Sequence, residues 1–143
     1  MRRVAGGCAL LVLAATAACG PVQITPPTPS PAAAAACRRL AEVLPEKLGG
    51  LERAETTPES PYVAVWGDGE IALRCGVPRP AAMAPTDPVS ELDGVAWFND
   101  PVRPALFTAI GRQAYVEVTV SRDHVPGDIL RELAPAITRA IPD

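Results

Sequence analysis

The stretch Tyr62-Val63-Ala64-Val65-Trp66-Gly67-Asp68-Gly69-Glu70-Ile71-Ala72-Leu73-Arg74-Cys75 holds two short β-type runs around a glycine-rich turn. β-Branched and aromatic residues fit a pleated surface, and glycine and aspartate accept the positive φ that tight hairpin turns need. In the second run Ile71, Leu73 and Cys75 alternate with Ala72 and Arg74, so the first three share a face directed at a core. The hairpin predicts an antiparallel sheet.

Downstream, Gly76 to Pro88 is rich in proline, which lacks the N–H that a ladder requires, and reads as a surface loop. Gly94 to Phe98 reads as a short strand. Leu106 to Ile110 and Gln113 to Val120 form a second hairpin across Gly111-Arg112, with Val116, Val118 and Val120 inward and Tyr115, Glu117 and Thr119 outward.

Two helical patterns flank these strands. Cys37, Leu40, Ala41, Leu44 and Leu48 recur at helical spacing, with Pro45 ending or kinking the helix and Gly49-Gly50 stopping it. Leu130, Leu133, Ala134, Ile137 and Ile141 form a second apolar stripe, interrupted by Pro135. The expected fold is α+β: a two-layer domain over 37–143, with an antiparallel sheet of four to five strands packed against an N-terminal and a C-terminal helix.

The chain has 143 residues, room for one compact domain. Residues 1–18 have the anatomy of a signal peptide: Arg2 and Arg3, then an apolar run from Val4 to Ala18 that is short for a membrane span. Thr16-Ala17-Ala18-Cys19-Gly20 then resembles a bacterial lipobox, making Cys19 the expected lipidation site. Two acyl chains on that thiol would give stable anchoring. Ordinary secretion with cleavage after Ala-x-Ala is the alternative. Residues 19–36, rich in Pro, Thr, Ser and Ala, read as a lipid-anchored, disordered tether. These features place the protein outside the cytoplasm, on the outer face of the cell membrane.

The formal net charge is -3, and without Arg2 and Arg3 it is -5, from 11 basic and 16 acidic residues. A chain of this balance lacks the basic face that nucleic acid requires. Of the four cysteines, Cys8 leaves with the leader and Cys19 takes the lipid, so Cys37 and Cys75 remain as a pair in an oxidising compartment. Both lie on predicted inward faces, the geometry a disulfide needs. A redox or metal pair would want C-x-x-C spacing or a supporting histidine, and neither is present.

The residues from Trp66-Gly67 through Leu73-Arg74-Cys75-Gly76-Val77-Pro78-Arg79-Pro80, with Gly94-Val95-Ala96-Trp97-Phe98 and the Gly111-Arg112 hairpin, resemble the DUF3515 family of actinobacterial exported proteins. The resemblance covers most of the mature domain. It implies an exported, lipoprotein-like origin and brings no catalytic residues with it.

Candidate ligand contacts are Arg74, Arg112, Trp66 and Trp97, since arginines clamp carboxylates or phosphates and tryptophans supply contact area with a polar edge. Arg79 and Glu117 belong to the same outward polar set, whose plainer reading is salt-bridged surface charge, and Phe98 joins the tryptophans, whose plainer reading is core packing. His124, the single histidine, reads as a solvated side chain in a polar turn. Asp87, Glu91, Asp93 and Asp100 match no calcium loop, and Gly67-Asp68-Gly69 joins two strands and so cannot be a phosphate loop. No metal, cofactor or catalytic residue is expected. The sequence favours a non-enzymatic interaction module, tied to the membrane by its lipid, whose partner is an envelope protein or wall component. A carrier of a small anionic or wall-fragment ligand is the alternative, and a hydrolase or transferase a more remote one.

Overall fold

The computed structural model describes residues 20–143. The signal peptide expected over 1–18 and the lipid site at Cys19 lie outside them.

The chain begins with a short strand β1 (Val22–Gln23) and enters helix α1 (Pro31–Val43) through Ser30, whose Oγ accepts a hydrogen bond from the Ala33 N–H at 3.4 Å. Proline in the first turn costs no hydrogen bond, and the following alanines are strong helix formers, so the helix nucleates six residues before Cys37. Helix α1 thus begins within the stretch 19–36 read as a tether, ahead of the boundary expected at residue 37, and Val22–Gln23 pairs with Thr56–Thr57. The helix ends at Leu44, extended because Pro45 follows. Gly49-Gly50, expected to stop the helix, instead turns β2 (Lys47–Leu48) into β3 (Leu51–Ala54); both glycines have positive φ, 57° and 80°.

After β3 come β4 (Thr56–Thr57), β5 (Val63–Trp66), β6 (Ile71–Val77), β7 (Ser90–Leu92), β8 (Val95–Asn99), β9 (Leu106–Ile110), β10 (Tyr115–Val120) and helix α2 (Pro126–Ala140). Eight strands form one antiparallel sheet in the order β2-β3-β5-β6-β10-β9-β8-β7, while β1 and β4 form a small parallel pair. The α+β class holds; the sheet is larger than four to five strands. The extra members are short and polar, carrying Lys47, Glu52, Arg53, Ser90 and Glu91, and such edge strands leave little hydrophobic alternation to read.

The two hairpins meet at the centre. Ile71, Leu73 and Cys75 on β6 face Val120, Val118 and Val116 on β10, and all six are buried. Both helices pack on this side, α2 through Leu130, Leu133, Ala134, Ile137 and Ala140, with Pro135 on its exposed flank. A disulfide joins Cys37 to Cys75, Cα atoms 5.6 Å apart, and ties α1 to β6. Closing a loop of 38 residues stabilises the fold by about 4 kcal/mol in the chain-entropy treatment.

Candidate functional site

The hairpin that founds the sheet also separates the residues expected to act together. Trp66 on β5 and Trp97 on β8 both face the helices and are almost fully buried. Strands β6, β10 and β9 stand between theirs, four strand spacings or roughly 19 Å. The Trp66 Nε1–H donates to the Pro45 carbonyl at 3.0 Å; Trp97 Nε1 has no partner among the described residues. Phe98 is buried as well.

The arginines are committed elsewhere. Arg74 lies on the opposite sheet face, directly across from Glu117, and bonds its carboxylate at 3.1 Å and the Thr25 carbonyl at 3.1 Å. Arg112, in the β9–β10 turn, donates to the carbonyls of Ile141 and Gly94, both at 2.8 Å, and pairs with Asp143 at 3.0 Å. Arg74, Arg112, Trp66 and Trp97 therefore share no pocket: two are core, one fastens the N-terminal segment, and one fastens the C-terminus. Arg79 is exposed, beside a 270 Å³ hollow under the start of α1.

His124 is more enclosed than a solvated turn residue. Its Nε2 lies 3.2 Å from Glu70 Oε2, joining the tip of the first hairpin to the loop after β10. Asp100 is buried where β8 leads to β9; it accepts from the N–H groups of Arg103 and Val102 and from the Arg103 guanidinium, and the Arg103 N–H, followed by the guanidinium, holds its carboxyl below the usual range. Among the described residues no three of His, Cys, Asp and Glu are grouped to hold a metal ion. No helix there is long and apolar enough to cross a membrane.

A cleft of about 580 Å³ opens at the β3 margin. It exists because β3 pairs with β5 only through Arg53↔Trp66 and Ala54↔Val65; the chain then swings into β4, which pairs with β1. Val63 and Ala64, beyond the last β3 pair, line the opening with Pro21, Arg53, Thr56 and Ser60. Its volume falls within the range of small-ligand sites.

Arg53 gives this cleft its chemistry. The guanidinium lies over the Trp66 ring, 5.2 Å from its centroid, and is half-buried. Burial pulls its pKa below the ordinary arginine value, while the Glu46 carboxylate acts weakly the other way. Among the described residues its side chain makes no hydrogen bond and has no carboxylate within ion-pair distance. Arg79, Arg122 and Arg139, the other described arginines without such contacts, are exposed. Sequence reasoning missed Arg53 because the run Leu51-Glu52-Arg53-Ala54 has no hydrophobic alternation. The signal available was Gly49-Gly50, which, read as a turn, makes β3 a strand.

The profile of the DUF3515 family, described as a protein of unknown function, matches residues 4–143, and the chain belongs to that family. No curated protein and no solved structure matches it.

Proposed function

We propose that this protein is a cell-envelope lipoprotein, anchored through Cys19 to the outer face of the membrane, and that its domain is a non-enzymatic binding module. The anchor is supported by the charged start, the apolar run and Thr16-Ala17-Ala18-Cys19-Gly20. The observation that carries the reading further is the pairing of Val22–Gln23 with Thr56–Thr57. Only Gly20 and Pro21 separate Cys19 from that pairing, a reach of about 10 Å at full extension. A lipid on Cys19 then holds the domain against the headgroups, without a long tether, and sets the Pro21 side of the cleft near the membrane.

The cleft supports binding as the role. It combines an uncommitted, half-buried cation with polar and apolar walls, and the described residues give it no nucleophile–base pair. The small-ligand reading accordingly moves from the scattered tryptophans and arginines to Arg53. Detergent phase partitioning of cell extracts tests the anchor. The wild-type chain is expected in the detergent phase and the Cys19→Ala chain in the aqueous phase; wild-type protein found in the aqueous phase contradicts the reading.

A further inference from the structure

The cleft carries charge of both signs. Among the described residues Arg53 is the single cationic side chain on its walls, and Glu55 and Glu59 stand on the same lining. That balance disfavours a polyanion such as a diphosphate, which would meet two carboxylates for one guanidinium. It suits a ligand bearing one carboxylate and one ammonium. Thr56 and Thr57 add hydroxyl groups, while Pro21, Val63 and Ala64 add an apolar wall. Val63 and Ala64 lie beyond the last β3 pair, with the Val63 N–H donated to the Ser60 carbonyl at 3.4 Å, so this wall offers apolar side chains.

Resting on the reading of this cleft as the binding site, we propose that it takes the carboxyl-terminal end of a short zwitterionic peptide. The Arg53 guanidinium clamps the peptide carboxylate, and Glu55 and Glu59 face the ammonium. A planar guanidinium matches a carboxylate in paired hydrogen bonds, and one already stacked on an indole loses little freedom in making them.

The test titrates the full chain, isotope-labelled and held in detergent micelles, with tri-alanine, its C-terminal amide, its N-acetyl form and inorganic phosphate, following NMR shifts. Tri-alanine is expected to move the Arg53 side-chain signal and the Thr56 and Ser60 amides. Amidation or acetylation should each weaken binding about tenfold or more. Arg53→Leu should abolish the preference for the free carboxylate, and Glu59→Gln should reduce the preference for the free ammonium. Because amidation and acetylation alter only the peptide, the result stands even if Arg53→Leu fails to fold. The proposal is overturned by equal binding of the amide, by phosphate binding at Arg53 in place of the peptide, or by no shift at about 10 mM peptide, well above a millimolar Kd. A protein that partitions into detergent through Cys19 yet gives no shift loses this proposal and keeps its anchor.

Discussion

The guanidinium of Arg53 lies 5.2 Å from the ring centroid of Trp66, and the two residues are directly paired across β3 and β5. This one contact joins core to cleft: the indole is buried beneath a cation whose remaining face borders the opening. Trp66→Ala should therefore cost about 3–5 kcal/mol, the range for emptying a buried aromatic site. Urea unfolding measures it, and a cost under about 1 kcal/mol would mean that Trp66 is not the packed residue described.

The Cys37–Cys75 bond fastens α1 to the central strand. A Cys37→Ala/Cys75→Ala double variant should lose about 2–4 kcal/mol. For a domain of this size that lowers Tm by at least about 8 °C. Reductant should reproduce the shift in the wild-type chain and have no effect on the variant.

Gly76 has φ of 88°, and a Cβ there would sit 2.4 Å from Pro29 Cβ and 3.4 Å from Cys37 Sγ. Gly111 has φ of 76° but open space around it. Gly76→Ala should consequently destabilise clearly more than Gly111→Ala, whose cost is limited to backbone strain of about 1 kcal/mol. Equal effects in thermal unfolding would mean that residues near Pro29 do not pack on β6.

Asp100 has its carboxyl held below the ordinary value by the backbone N–H and guanidinium of Arg103. A depressed folded-state pKa contributes stability above the unfolded-state value, about pH 4, and that contribution is lost as pH falls through the lower folded-state value. Tm of the wild-type chain and of Asp100→Asn should differ most near neutrality and converge in acid. A constant difference across the series would show that the carboxylate charge contributes nothing.

Arg112 donates to the carbonyls of Ile141 and Gly94, and Gln113 N–H donates to the Pro142 carbonyl. Arg112→Ala should free the C-terminus at a cost of about 1–3 kcal/mol and speed hydrogen exchange at the Gln113 amide. Unchanged exchange at that amide would contradict the clamp.

The elements legible in the sequence were those whose side chains repeat at the period of their structure. Ile71, Leu73 and Cys75 alternate and lie inward; Leu130, Leu133 and Ile137 follow the helical period and lie on the sheet. What could not be read was decided by partners distant in the chain. Val22–Gln23 is a strand only because Thr56–Thr57 lies beside it, and β3 is a strand despite Glu52 and Arg53 because Trp66 and Val65 pair with it. Alternation along β6 puts Arg74 on the outward face, where it lies, but its commitment to Glu117 and Thr25 depends on register and on the path of the N-terminal segment. For Arg53, the Gly49-Gly50 turn can mark β3 as a strand, but the cleft at its side depends on the departure of β3 from β5.

The intact mass of the mature protein isolated from membranes tests the central claim most directly. The account predicts a chain that begins at Cys19 and carries a thioether-linked diacylglyceryl group. A mature chain with an unmodified Cys19 thiol, or one beginning elsewhere, would contradict it.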